Sequence, residues 1–212
     1  MTVIRECFGK KLSNQHNLDG TRNFCYDLNM REIEIKLKIK NIEELKSKLK
    51  EKGCILSEPI SQHDVIYSLK SGKEEFESAK EGDVIIRIRY LKDKAQLNLK
   101  QQRSGEMDNL EYETEVKDPK ETHNILTVLG WAPVVEVKKM RRKGKLAEYE
   151  ICLDEVDQLG TFVELEKMTD DDINPENVRN ELFAELESLG LSRENEETKG
   201  YDTQIYLQQK GQ

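Results

Sequence analysis

Charged residues of one sign recur at alternate positions along this chain: Glu32 and Glu34, Arg87 and Arg89, Glu111, Glu113 and Glu115, Lys139 and Arg141, Glu164 and Glu166. At that spacing an extended strand turns each set to a single face. Like charges side by side are costly unless an opposite charge lies between them. Paired carboxylates suit a divalent cation that takes oxygen ligands, and paired Arg or Lys residues suit a chain of phosphates.

The segments that carry these sets alternate with apolar residues as strands do. Glu32, Glu34 and Lys36 oppose Ile33, Ile35, Leu37 and Ile39, and Asp64–Leu69 reads as a short strand. Further strands are expected over Val84–Leu91, Ala95–Gln101, Leu110–Val116, Val134–Arg142, Glu148–Asp154 and Phe162–Lys167. Gly105 and Asp108–Asn109 supply turn chemistry between two of them. Three amphipathic helices are predicted. One follows the cap Asn41 with Glu44 completing a capping box, one follows Asp118-Pro119, and one follows Asn174-Pro175. Gly53, Gly130 and Gly190 end them. Ser71–Gly82 reads as a loop or short helix, and the tail Thr198–Leu207 as a final strand or short helix. Most gaps between strands are too short for parallel crossovers, so antiparallel hairpins and a closed or nearly closed sheet follow. Two arrangements remain open on pattern alone: charges on the outside of a packed barrel, or charges lining its lumen with helices covering the outer apolar faces.

The chain has 212 residues and a formal net charge of −8, with 36% hydrophobic and 36% charged residues. That balance speaks against a nucleic-acid partner, which usually meets a basic excess. Four cysteines and three histidines are dispersed, without the spacing of a zinc site. No apolar run approaches a membrane span, and a cytoplasmic setting is expected. Residues 1–29 lack sustained periodicity and are expected to form a poorly ordered N-terminal extension, a partner-binding arm, or a stretch ahead of the natural start at Met30. Residues 30–212 form the catalytic domain in this reading.

The ordered series Glu32-x-Glu34-x-Lys36, Arg87-x-Arg89, Lys100, Glu113-x-Glu115, Lys139-x-Arg141, Leu153-Asp154-Glu155-Val156, Gly160 and Phe162-Val163-Glu164-Leu165-Glu166 resembles the CYTH family, the triphosphate tunnel metalloenzymes. The last two runs are most similar to the class IV adenylyl cyclase subgroup. The resemblance implies an α+β fold: an eight-stranded antiparallel barrel, its lumen lined by these charges, with flanking helices. It implies Mg²⁺ or Mn²⁺ held by Glu32, Glu34, Glu164 and Glu166. Lys36, Arg87, Arg89, Lys100, Lys139, Arg141 and Lys199 would hold the phosphates of ATP or inorganic tripolyphosphate. Glu113, Glu115 or Asp154 would accept a proton or position a second metal, and Lys139 is a further candidate base. Tyr67 and Tyr201 are candidates for orienting a nucleobase or water, or for a place in the core. The implied activity is conversion of ATP to cyclic AMP and pyrophosphate. The alternatives are hydrolysis of inorganic tripolyphosphate or an organic triphosphate, and a polyphosphate-binding module without turnover. A homodimer is a further implication. Two departures bear on the choice. Asn23-Phe24 stands where cyclase members carry a His-Phe pair at another spacing, and Lys199-Gly200-Tyr201 replaces the family's C-terminal Ser-Tyr-Leu type of ending.

Overall fold

The computed structural model describes residues 30–69 and 80–211. The extension expected over 1–29 lies outside the described residues, as does most of the charged stretch before Gly82. In chain order the elements are β1 (Met30–Lys38), α1 (Ile42–Glu51), β2 (Ile60–Leu69), β3 (Val84–Tyr90), β4 (Ala95–Gly105), β5 (Asp108–Val116), α2 (Pro119–Val128), β6 (Trp131–Leu146), β7 (Tyr149–Val156), β8 (Gly160–Asp170), α3 (Pro175–Ser188) and α4 (Tyr201–Lys210). The eight strands close into a barrel in the order β1-β5-β4-β3-β2-β6-β7-β8, and every pairing is antiparallel.

The apolar faces point outward and the helices cover them. Ile33, Ile35 and Leu37 of β1 share one cluster with Ile151 and Leu153 of β7, Val163 and Leu165 of β8, Leu45 and Leu49 of α1, and Leu182 and Leu186 of α3. Leu126 of α2 covers Tyr67, Ile86 and Ile88. The core is therefore a layer between the barrel wall and its helices, and the charged faces are left to the lumen. A third cluster sets Tyr201, Ile205 and Tyr206 of α4 against Ile66, Val135, Val137 and Phe162. There α4 covers the part of the barrel where apolar residues replace charges.

The helices start where capping residues place them. Asn41 and Asp118 accept from the backbone N–H groups of Glu44 and Glu121 at 3.1 and 2.9 Å, and Asn174 from that of Glu176 at 2.9 Å. The capping box at α1 is only half formed, because Glu44 meets the side-chain amide of Asn41 instead of its backbone. The tail resolves as the helix α4. Asp108 and Asn109 do not form the β4–β5 turn, which falls instead at Glu106-Met107. Both side chains are spent tying the turn from within β5: Asn109 donates to the Glu106 carbonyl at 2.8 Å, and Asp108 accepts from Ser104 and Arg31.

The β1–β5 seam is the shortest in the ring, with register partners only at Glu32↔Asn109 and Ile33↔Asp108. Beyond it the edge of β1 is taken up by residues leading to α4: Leu37 bridges Glu196, and the Glu197 N–H donates to the Lys36 carbonyl at 2.8 Å. The buried pair Arg31–Asp108, at 3.1 Å, pins the seam. Removing one partner of a buried ion pair strands the other, at a cost of about 3–5 kcal/mol. Asp108→Ala is therefore expected to lower the urea midpoint substantially with the m-value unchanged. A midpoint within error of wild type would show that the seam does not depend on this pair.

Candidate functional site

Strand alternation delivers the charges to one cavity of about 240 Å³ inside the barrel. β1 contributes Glu32, Glu34 and Lys36; β2 contributes Asp64; β3 contributes Arg87 and Arg89; β4 contributes Asn98 and Lys100. Glu111 and Glu113 of β5 stand between β1 and β4, and Lys139 and Arg141 of β6, Glu150 of β7, and Glu164 and Glu166 of β8 complete the ring. Register decides the neighbours. Glu34 lies beside Glu166 across β1–β8, and Lys36 beside Glu164.

Carboxylate oxygens of Glu32, Glu34 and Glu166 lie within 4.8 Å of one another. Burial raises all three pKa values, and neighbouring carboxylates of the lumen raise them further. Glu166 is pushed up to about 7, chiefly by burial, with Glu34 and Glu164 adding to it against Arg141. Glu32 and Glu34 are raised for the same first reason, against the pull of Lys100. Such a trio, short of positive charge and built of hard oxygen donors, fits a divalent cation of the Mg²⁺ or Mn²⁺ kind. Sequence reasoning expected Glu164 in this set. The structure places it instead against the Arg141 guanidinium, which, with Lys139, outweighs burial and holds its carboxyl well below the usual range. A second donor group joins Glu150, Cys152 and the same Glu166. Burial pushes the Cys152 thiol far up, away from the thiolate that a soft metal needs.

The cations are held by carboxylates of their own. Asp64 receives Arg89 through a two-pronged contact, Nε at 2.7 Å and Nη2 at 2.8 Å, and Arg87 at 3.7 Å. Arg141 donates Nε to Asp154 at 2.7 Å, and Lys139 reaches the same carboxylate at 3.1 Å. Asp154 is fully buried, and these two cations hold its pKa down against burial. The pKa of Lys139 is lowered as well, by burial and by the neighbouring Arg141, against the pull of Asp154 and Glu164. Lys100 ion-pairs with Glu111 and lies 3.6 Å from Glu32. Lys100 and Arg87 hold Glu111 down at about 2, against the burial that would raise it. The Arg87 Nε–H is buried and has no hydrogen-bond partner among the described residues.

Two expected residues are not brought into this group. Glu115 is exposed on the outer rim and pairs with Lys94, because β5 runs out past the end of the lumen. Lys199 has an exposed side chain; it is its carbonyl that faces inward, accepting from the Lys36 ammonium at 2.5 Å. Glu113 sits exposed at the margin, bound by Gln96 and Asn98. Of the two tyrosines, Tyr67 is buried beneath α2 and bonded to His123, while Tyr201 lines the cavity with Lys36 and Lys139 over its ring at 4.4 and 4.9 Å. Asp64, Glu111 and Asn98 were missed as site residues. Asp64 shares its face with neutral or apolar neighbours, Gln62 and Ile66, and Asn98, itself uncharged, stands beside Lys100 without a same-sign partner. Glu111 does stand in phase with Glu113 and Glu115, and that phase was the available signal.

Residues 30–201 match the family model of the CYTH domain. A protein of Methanocaldococcus jannaschii, provisionally named an adenylate cyclase, is 29% identical over 174 residues, 81% of this chain and 97% of its own. Among solved structures, one from Pyrococcus horikoshii is 28% identical with a TM-score of 0.67, covering 80% of this chain and 96% of that one. One from Hippeastrum, provisionally named an adenylyl cyclase and said to have a dominant triphosphatase activity, is 18% identical with a TM-score of 0.57 over 85% of this chain and 96% of that one. That last likeness is one of fold.

The raised carboxylates set a sign for pH. Protons held by Glu32, Glu34 and Glu166 stabilise the metal-free fold at low pH, and that contribution is lost as pH rises from the usual carboxylate range through about 7 for Glu166. A cation must displace those protons. Mg²⁺ or Mn²⁺ is therefore expected to raise Tm more at about pH 8 than at about pH 5, with proton release on loading, and Glu166→Gln to shrink both effects. Equal shifts at the two pH values would place the cation elsewhere.

Proposed function

The chain belongs to the CYTH family, and from that premise we propose that it is a divalent-metal-dependent enzyme acting on the triphosphate chain of ATP or of inorganic tripolyphosphate inside the barrel. The observation that carries this reading is one cavity in which a carboxylate trio lies together with two banks of cations. Glu32, Glu34 and Glu166 would hold Mg²⁺ or Mn²⁺. Bound there, the ion supplies Lewis-acid stabilisation of charge on the phosphate oxygens.

The chain's own residues do the rest. Arg87 and Arg89, oriented by Asp64, offer forked donors to phosphate oxygens, and Lys36, Lys100 and Lys139 act as point charges. Arg141, fixed between Asp154 and Glu164, keeps the far wall positive. These groups are set before substrate arrives, so they stabilise developing charge without reorganising. Asp154 is gripped by two cations and makes a poor base.

Two reactions share this machinery. In cyclisation a ribose 3′-hydroxyl attacks the α-phosphorus and pyrophosphate leaves; the run from Leu153 to Glu166 and the named M. jannaschii relative support it. In hydrolysis water attacks the terminal phosphorus, its bridging P–O bond breaks, and orthophosphate separates from the remaining diphosphate. The cavity supports that second reading, because 240 Å³ is below the roughly 300–1,000 Å³ of pockets that enclose whole drug-sized ligands. Tyr201 is also the sole aromatic among the described lining residues, and it is buried beneath two ammonium groups.

Product analysis with ATP and with tripolyphosphate, each with Mg²⁺ or Mn²⁺, tests this. Cyclic AMP and pyrophosphate are expected for the first reaction, and orthophosphate without cyclic nucleotide for the second. Glu34→Ala is expected to lower either turnover about a hundredfold or more, and Glu115→Ala to stay within about twofold of wild type. Absence of turnover on both substrates would remove the catalytic reading.

A further inference from the structure

The β4–β5 turn carries a carboxylate that the proposed reaction does not use. Glu106 reaches from its hairpin to α4 and accepts two hydrogen bonds, from the Gly200 N–H at 2.6 Å and from the Thr203 hydroxyl at 3.0 Å. α4 has no side-chain cap of its own. Its first turn is thus capped from another part of the chain, by a negative group suited to the positive end of the helix. The cap is itself anchored. The Glu106 carbonyl accepts from Asn109 at 2.8 Å, and the adjacent Met107 carbonyl accepts from the Glu34 N–H at 3.0 Å.

What α4 holds in place is Lys36. The Lys36 ammonium donates to the Lys199 carbonyl at 2.5 Å and lies over the Tyr201 ring at 4.4 Å from its centroid. A lysine side chain has much rotamer freedom to lose, so a carbonyl and a ring on either side of Gly200 decide where its charge sits.

We propose that Glu106 is a positioning residue for the triphosphate reaction: by capping α4 from the β4–β5 turn it fixes the Lys199 carbonyl and the Tyr201 ring, and through them the ammonium of Lys36. The proposal rests on the reading of the cavity as a triphosphate site. Glu106 acts through α4, since its own charge would repel a phosphate.

The test compares wild type, Glu106→Ala, Glu106→Gln, Lys36→Met and the double variant Glu106→Ala/Lys36→Met. It reads steady-state turnover of ATP and tripolyphosphate and calorimetric affinity for tripolyphosphate. Glu106→Ala is expected to lower kcat/KM about ten- to hundredfold, as small misplacements of a charged group do. The amide oxygen of Glu106→Gln still accepts from Gly200 and Thr203, so that variant is expected within about threefold of wild type. In the Lys36→Met background Glu106→Ala is expected to cost about twofold or less, since both changes remove one function. Effects that multiply in the double variant, or a Gln variant no better than Ala, would overturn the proposal in favour of a general role in stability. Should Glu106→Ala fail to fold, Thr203→Val removes one of the two bonds and is expected to show a smaller loss, again absent without Lys36. Full activity of Glu106→Ala in an active wild type sinks this proposal alone. A wild type that neither binds nor turns over tripolyphosphate or ATP takes down the triphosphate reading and this proposal with it.

Discussion

Everything in this molecule depends on how Arg141 is compensated. Its guanidinium meets Asp154 and Glu164 and lies 3.8 Å from Glu166, on a strand whose other inward residues include Lys139. A buried charge without partners costs several kcal/mol, so ionic residues can line a barrel only as an interlocked set. Arg141 divides the β8 carboxylates into two kinds. Glu164 is neutralised by it and stays ionised, whereas Glu166 stands at its margin and falls into the company of Glu32 and Glu34. The same arrangement thus leaves one region with unspent negative charge and another with unspent positive charge, within a single cavity.

The same logic explains why the helices lie outside. A lumen filled with charge cannot serve as the hydrophobic core, so the burial that drives folding has to occur on the other side of the wall. α1 and α3 cover β1, β7 and β8, and α2 covers Tyr67, Ile86 and Ile88. Among the described helices only α4 meets residues of the inner faces, at Ile66 and Val137, where charges give way to apolar side chains.

Much of this was legible in sequence because alternation reports face directly. Glu32, Glu34, Arg87, Arg89, Lys139, Arg141, Glu164 and Glu166 all announced themselves as same-sign sets, and the lumen collects each of them. What alternation does not report is where a strand leaves the barrel, and so Glu115 kept the phase of Glu111 and Glu113 while lying beyond the cavity. Nor does it report partners across strands. That Glu164 faces Arg141, while Glu166 joins β1, is a matter of register and side-chain reach. Lone residues such as Asp64 carry no periodic signature, and their importance appears only once Arg87 and Arg89 are seen around them. The β4–β5 turn was misplaced for a related reason. Asp108 and Asn109 are turn formers by composition, but here they bind the turn from inside the strand.

The separation of packing from charge has an evolutionary consequence. Away from the end covered by α4, each strand divides its duties by parity, with one set of alternate residues holding the fold and the other facing the ligand. Substitutions in the second set leave the helix-covered layer untouched, so the selectivity of the lumen can drift while the architecture persists. The limits on that drift are electrostatic: a change at one inward position must be answered by another across the cavity. Inward positions in such a barrel are therefore expected to co-vary in pairs of opposite charge, while outward positions vary with volume alone.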